Sequence, residues 1–202
     1  EELFPSGVPG KWLSPETKNP ATLEFIDDWT FTLTFDDPYG SLVVEMAIKG
    51  WVGYTDLIKP VHVLAQYHKD YADEDELLAM IEAEGFEGID AWVNLFNLKD
   101  VTNWQAHLSR AIDFPRLYPM LLVELTEGAA IYERNPYYYK VDIEGKQLPY
   151  IDRIVTARVD DVDMVNMRAI AGQVDFTRES PDFQQLAVYR EQEEASNYTT
   201  HL

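Results

Sequence analysis

Histidine, carboxylate and aromatic side chains are the groups in this sequence able to do chemistry, and their spacing decides which chemistry is open. His62, His68, His107 and His201 are all its histidines, and no two stand at the i, i+4 spacing that lets one helix face hold a metal. With no cysteine in the chain, disulfides, thiolate metal sites and cysteine nucleophiles are excluded together. No nucleophile elbow, phosphate-cradling loop or dinucleotide fingerprint occurs. Acids are plentiful, 36 in all, so chance carboxylate pairs are common and none is marked by an aromatic or glycine context. An acid-pair glycosidase therefore stands only as a remote alternative. The run Asp73-Glu74-Asp75-Glu76 lacks the glycine and terminal glutamate of a calcium loop, and a helix N-terminus accounts for it better. The expectation is a protein that is not an enzyme and uses no metal or cofactor.

The 36 acids face 16 bases, giving a net charge of −20. Such a field repels nucleic acid and anionic membrane surfaces. It favours cationic or neutral solutes over anionic ones, weakly once salt screens it. No apolar run reaches the roughly 18 residues of a membrane span, and the first residues, Glu-Glu-Leu-Phe-Pro, carry no apolar leader.

The elements that must position any site follow from periodicity. Residues 1–20, rich in Pro and Gly, read as an irregular surface segment. Leu23 and Phe25, then Trp29, Phe31, Leu33 and Phe35 at period two, predict a hairpin turning at Asp27-Asp28 with one buried face. Residues 41–51 predict a helix or buried turn, and Pro60 opens a short helix with Val61, Leu64 and Tyr67. The acidic run starts a helix that Gly85 ends, and Trp92, Leu95 and Phe96 mark another. The roles of Trp51, Trp92 and Trp104 stay open between core and ligand contact. Strands are expected at 121–123, 130–132 and 151–159, a helix at 161–171 capped by Gly172, a strand at 174–176 and a helix at 182–194. A further strand is expected to begin at 198–200. The succession around 151–176 predicts a β-α-β unit with parallel strands. The fold class is mixed α/β: a β-hairpin, a mostly helical insertion and a β-α-β unit.

Residues 132–155 contain Arg134-Asn135-Pro136-Tyr137-Tyr138, a Glu144-Gly145 turn and Leu148-Pro149-Tyr150-Ile151-Asp152. Pro136 ends a strand, and Tyr137, Tyr138 and Tyr139 are expected to pack over one end of the sheet. This segment resembles the family 5 extracellular solute-binding proteins, the peptide, nickel and oligosaccharide receptors of ABC importers. Two flanks agree: Phe35-Asp36-Asp37-Pro38-Tyr39 upstream, and Ala171-Gly172-Gln173-Val174-Asp175-Phe176 downstream, where Gln173 replaces the family's acid. The resemblance covers residues 20–200, loosely in the helical insertion.

The resemblance implies part of a type II periplasmic-binding-protein-like fold and a chain less than half the length of a complete receptor. It divides the sequence into the end of a small accessory domain (1–54), the helical insertion (55–120) and the β-α-β part of the first lobe (121–202). It implies capture of a peptide or oligosaccharide in an interlobe cleft, delivery to an ABC permease, and an extracytoplasmic location, in the periplasm or at the cell surface, with a lipid anchor on the full-length protein as one form of the latter. Thr177, Arg178 and Glu179 follow a strand's carboxyl end, where ligands of open α/β sheets bind, and the resemblance assigns them to ligand contact. The alternative is a stand-alone interaction module with no small-molecule cleft, marked by an exposed apolar patch.

Overall fold

The computed structural model describes residues 12–48, 59–102, 105–177 and 181–201. Strands β1 (Thr22–Asp27) and β2 (Thr30–Thr34) form an antiparallel hairpin with Leu23 opposite Leu33 and Phe25 opposite Phe31. The register slips between Phe25 and Asp27, and the Asp27 carboxylate accepts from Trp29 N at 2.8 Å, so Trp29 sits in the turn. The expected buried face is corrected: Trp29 is 92% exposed, and Leu23, Phe25 and Phe31 also face outward. The register does gather Leu23, Phe25, Phe31 and Leu33 on one face, and Phe25 on it is 74% exposed. Residues 12–20 clasp the end of β2. Asp37 accepts from Glu16 N and Thr17 N at 3.0 Å each, and buried Ser14 Oγ accepts from Asp36 N at 2.9 Å. Helix α1 (Leu42–Ile48) follows.

The helical segment from Val61 to Lys99 has its own core. Helix α2 (Val61–Leu64) runs into a 3-10 turn (Ala65–Tyr67), and α3 (Glu74–Ala83) and α4 (Trp92–Lys99) follow. Leu64, Leu77, Ile81, Trp92, Leu95 and Phe96 are buried together. The acidic run does start α3: Asp73 accepts from Asp75 N and Glu76 N at 3.1 Å each, satisfying two donors that a helix start leaves open. At the other end Gly85 takes φ +81°, which lets Gly85 N reach Glu82 O and Phe86 N reach Ile81 O. Trp92 is core; Trp51 and Trp104 lie outside the described residues.

Strands β3 (Met120–Leu125), β4 (Ala129–Arg134) and β5 (Arg153–Ala157) form an antiparallel sheet in that order. Val101, Ala111, Leu122 and Ala130 make a second buried cluster beneath it. Phe114 packs against both clusters and so joins the helical segment to the sheet. Helices α5 (Val162–Ile170) and α6 (Leu186–Ser196) pair through buried Asn166, whose Oδ1 accepts from Asp182 N at 2.9 Å and from the Tyr189 hydroxyl. Gly172, at φ +64°, ends α5 so close to α6 that an added Cβ would lie 2.3 Å from Ser196 O.

The mixed α/β class holds. Within it, Val174–Phe176 joins no ladder among the described residues, so β5 has a strand partner on one side only and the parallel pairing is not formed. Residues 198–200 are not a strand either. They turn back on α6, the Tyr198 hydroxyl donating to Tyr189 O at 2.7 Å and Thr200 N to Glu193 at 2.7 Å.

Candidate functional site

The Arg-Asn-Pro segment turns out to be a clasp. Asn135 is 3% exposed, at the end of β4. Its Nδ2 donates to Arg116 O at 3.0 Å and Tyr118 O at 2.9 Å, and its Oδ1 accepts from Tyr137 N at 2.9 Å. Its backbone N donates to Pro119 O at 2.8 Å. Both amide donors are therefore used inside the protein, and Asn135 fixes the path of residues 116–119. Beyond it, Gln147 Nε2 bridges Pro136 O and Tyr138 O at 2.8 Å each. Asp142 accepts from Glu144 N and Lys146 N at 2.8 Å each and from the Tyr150 hydroxyl. The Tyr150 bond, then that of Lys146 N, holds the Asp142 carboxyl below its usual range, and the same partner raises Tyr150. The Leu148–Pro149 bond is cis. Of the three tyrosines expected to pack, only Tyr138 is half-buried, edge-on to Tyr139 at 5.1 Å; Tyr137 and Tyr139 project to solvent.

The segment held by Asn135 forms one wall of a cleft of about 290 Å³, lined by residues 59–62, 100–101 and 114–118. Its polar floor is an ion pair, Lys59 Nζ to Asp100 Oδ2 at 2.7 Å. Asp100 is 6% exposed, and its Oδ1 has no hydrogen-bond partner among the described residues. Arg116 lies between the rings of Phe114 (5.7 Å) and Tyr118 (5.2 Å) and donates to Val101 O and Thr102 O at 2.9 and 3.2 Å. His62 stands exposed at the rim.

Sequence reasoning missed this cleft. Phe114, Arg116 and Tyr118 at period two were a local signal that three long side chains share one side. Lys59 and Asp100 are 41 residues apart, and nothing local announces them. Of the residues assigned by resemblance, Thr177 is half-buried after α5 and does not line this cleft. Arg178 and Glu179 lie outside the described residues. His68 packs against Trp92 at 4.4 Å and accepts from Asp70 N at 3.2 Å, a core role. Among the described residues no group of three or more His, Asp or Glu is placed to hold a metal, and no helix is long and apolar enough to cross a membrane.

Hairpin, self-contained helical unit and antiparallel sheet with its paired helices make up part of a solute-binding fold of the periplasmic type. No family model matches the sequence, and no curated protein matches it. Among solved structures the chain is similar to the oligopeptide-binding protein OppA, with a TM-score of 0.70 and 30% identity, over 89% of this chain and 27% of that one. It is also similar to the periplasmic binding protein MelB of Agrobacterium fabrum C58, solved in complex with stachyose. There the TM-score is 0.53 at 22% identity, over 85% of this chain and 21% of that one, which speaks for the fold alone. Both are named as binding proteins, and this chain spans about a quarter of the length of each.

Proposed function

We propose that this chain is part of the substrate-binding component of an ABC importer, working outside the cytoplasm. The observation that carries the reading is the likeness to OppA along nearly all of the described elements. The Asn135 clasp sits within the segment that first pointed to the family. In this reading residues 1–54 end an accessory domain, 55–120 are an insertion and 121–202 belong to the first lobe. The solute, a peptide or an oligosaccharide, is held between two lobes that close on it and present it to a permease. Thr177, Arg178 and Glu179 contribute to that interlobe contact, and no covalent step is involved. An interaction module remains the second reading, favoured by the outward apolar face of the β1–β2 hairpin.

The test is calorimetric titration of a peptide library and an oligosaccharide panel into two samples: this chain, and the product of the uninterrupted reading frame that contains it. The longer product is expected to bind one of the two classes, and the 202-residue chain far more weakly. A reading frame that encodes these residues alone, or a longer product that binds neither class, overturns the proposal.

A further inference from the structure

The β1–β2 hairpin has two unlike sides, and its apolar side lies open. The register sets Leu23 opposite Leu33 and Phe25 opposite Phe31 on that side, with the two rings 6.5 Å apart between centroids. The other side carries Thr22 opposite Thr34 and Glu24 opposite Thr32. Such alternation marks strands of which one face is packed and the other wet. Yet Leu23 and Phe31 are nearly half exposed, Phe25 is more so, and Ile26 and Trp29 are exposed beside the turn. A hairpin of two strands is marginal alone and gains stability when its apolar face is packed. The bonds that hold this one, Asp36 N to Ser14 Oγ and Glu16 N and Thr17 N to Asp37, are polar and lie beyond the end of β2.

Charge and length narrow what covers the face. The hairpin carries Glu24, Asp27 and Asp28 and no Lys or Arg, in a molecule of net charge −20. Two copies docked hairpin to hairpin would set these carboxylates against their own kind, which opposes self-association. A cover that the hairpin needs for its own stability must be present whenever the chain folds. A segment of the same polypeptide meets that condition, and a transient partner does not. OppA shows that chain for this purpose is available in the fold: the matched part is 27% of that protein, leaving nearly three-quarters of its length.

We propose, on the reading of this chain as part of a longer solute-binding protein, that the Leu23, Phe25, Phe31 and Leu33 face is an intramolecular docking surface. Its occupant is an apolar segment of the same polypeptide that lies outside these 202 residues.

The test is hydrogen exchange, read by mass spectrometry on peptides spanning residues 22–34. It compares the 202-residue chain with the product of the uninterrupted reading frame that contains it. Amides of β1 and β2 should exchange about tenfold or more slowly in the longer product. Phe25→Ser and Phe31→Ser together should return them to the faster rate, with the exchange of α3 and α4 unchanged and circular dichroism showing a folded protein. Equal exchange in the two products leaves the face to a separate protein and overturns the proposal, as does slow exchange that the substitutions leave unchanged. A dimer of the 202-residue chain, seen by sedimentation and dissolved by the same substitutions, gives the face to a second copy and overturns it too. A reading frame that encodes these residues alone overturns both this proposal and the transport reading. A longer product that protects the hairpin but binds neither peptide nor oligosaccharide upholds the docking surface and overturns the transport reading alone.

Discussion

Replacing Asn135 by alanine removes three side-chain hydrogen bonds: two from Nδ2 to the carbonyls of Arg116 and Tyr118, and one from Tyr137 N to Oδ1. A hydrogen bond between neutral groups contributes about 1 kcal/mol net, so the loss comes to about 3 kcal/mol. Arg116 and Tyr118 are half-buried, so water can reach part of what is freed, and a range of about 2–4 kcal/mol follows. For a chain near 200 residues each kcal/mol moves Tm by roughly 2–4 °C, so about 4–16 °C is expected. Urea unfolding monitored by circular dichroism at 222 nm, with a thermal scan beside it, measures both quantities. The aspartate variant separates the clasp from simple packing. At neutral pH it sets a carboxylate against two carbonyl oxygens, which raises its pKa in the folded state. The folded protein then binds more protons than the unfolded one, so stability is regained as pH falls through that raised pKa and is lost above it. A loss below about 1 kcal/mol for Asn135→Ala, or an aspartate variant as stable as wild type at pH 7, would refute the clasp.

Gly172→Ala sets a Cβ 2.3 Å from Ser196 O at a backbone φ of +64°, and should cost about 2 kcal/mol or more by thermal unfolding, with the α5–α6 pair loosened. Tyr150→Phe removes the largest cause of the lowered Asp142 pKa, so the carboxyl should titrate nearer the ordinary range, read by carbon-detected NMR. In wild type, whatever that lowered pKa contributes to stability is present above the ordinary carboxylate pKa and lost as pH falls through the depressed one. Asp73→Ala removes the cap of α3 and should cost about 1 kcal/mol in urea unfolding. Trp29→Ser should change stability by less than about 0.5 kcal/mol in this chain, because the indole is 92% exposed.

Local chemistry was legible in the sequence, and partnership was not. The start and stop of α3 could be read because Asp73 and Gly85 act within one turn of the helix they bound. The set Trp92, Leu95 and Phe96 declared its helix and its burial together, since a helical period needs only one facing core. Period two in the β1–β2 hairpin gave the strands and the shared face, yet said nothing about what covers that face. The same limit undid the parallel strand at Val174–Phe176, because a ladder is a property of two segments. Asn135 stood out beside Pro136, but its partners lie 17 and 19 residues earlier, and only the folded chain shows that the motif is wiring for residues 116–119. Lys59 and Asp100 were invisible for the same reason at larger separation.

Phe114 gives the molecule a point of mechanical economy. One ring is shared by two apolar clusters that otherwise have separate memberships. That ring is one of the links, beside the Arg110 bond to Leu98 O at 2.8 Å, by which the loss of the helical unit reaches the sheet. Trimming it to alanine should lower the cooperativity of unfolding, read as a smaller urea m-value. Amide protons of α3 and α4 would then exchange faster than those of β3 and β4, the helical unit opening more often than the sheet.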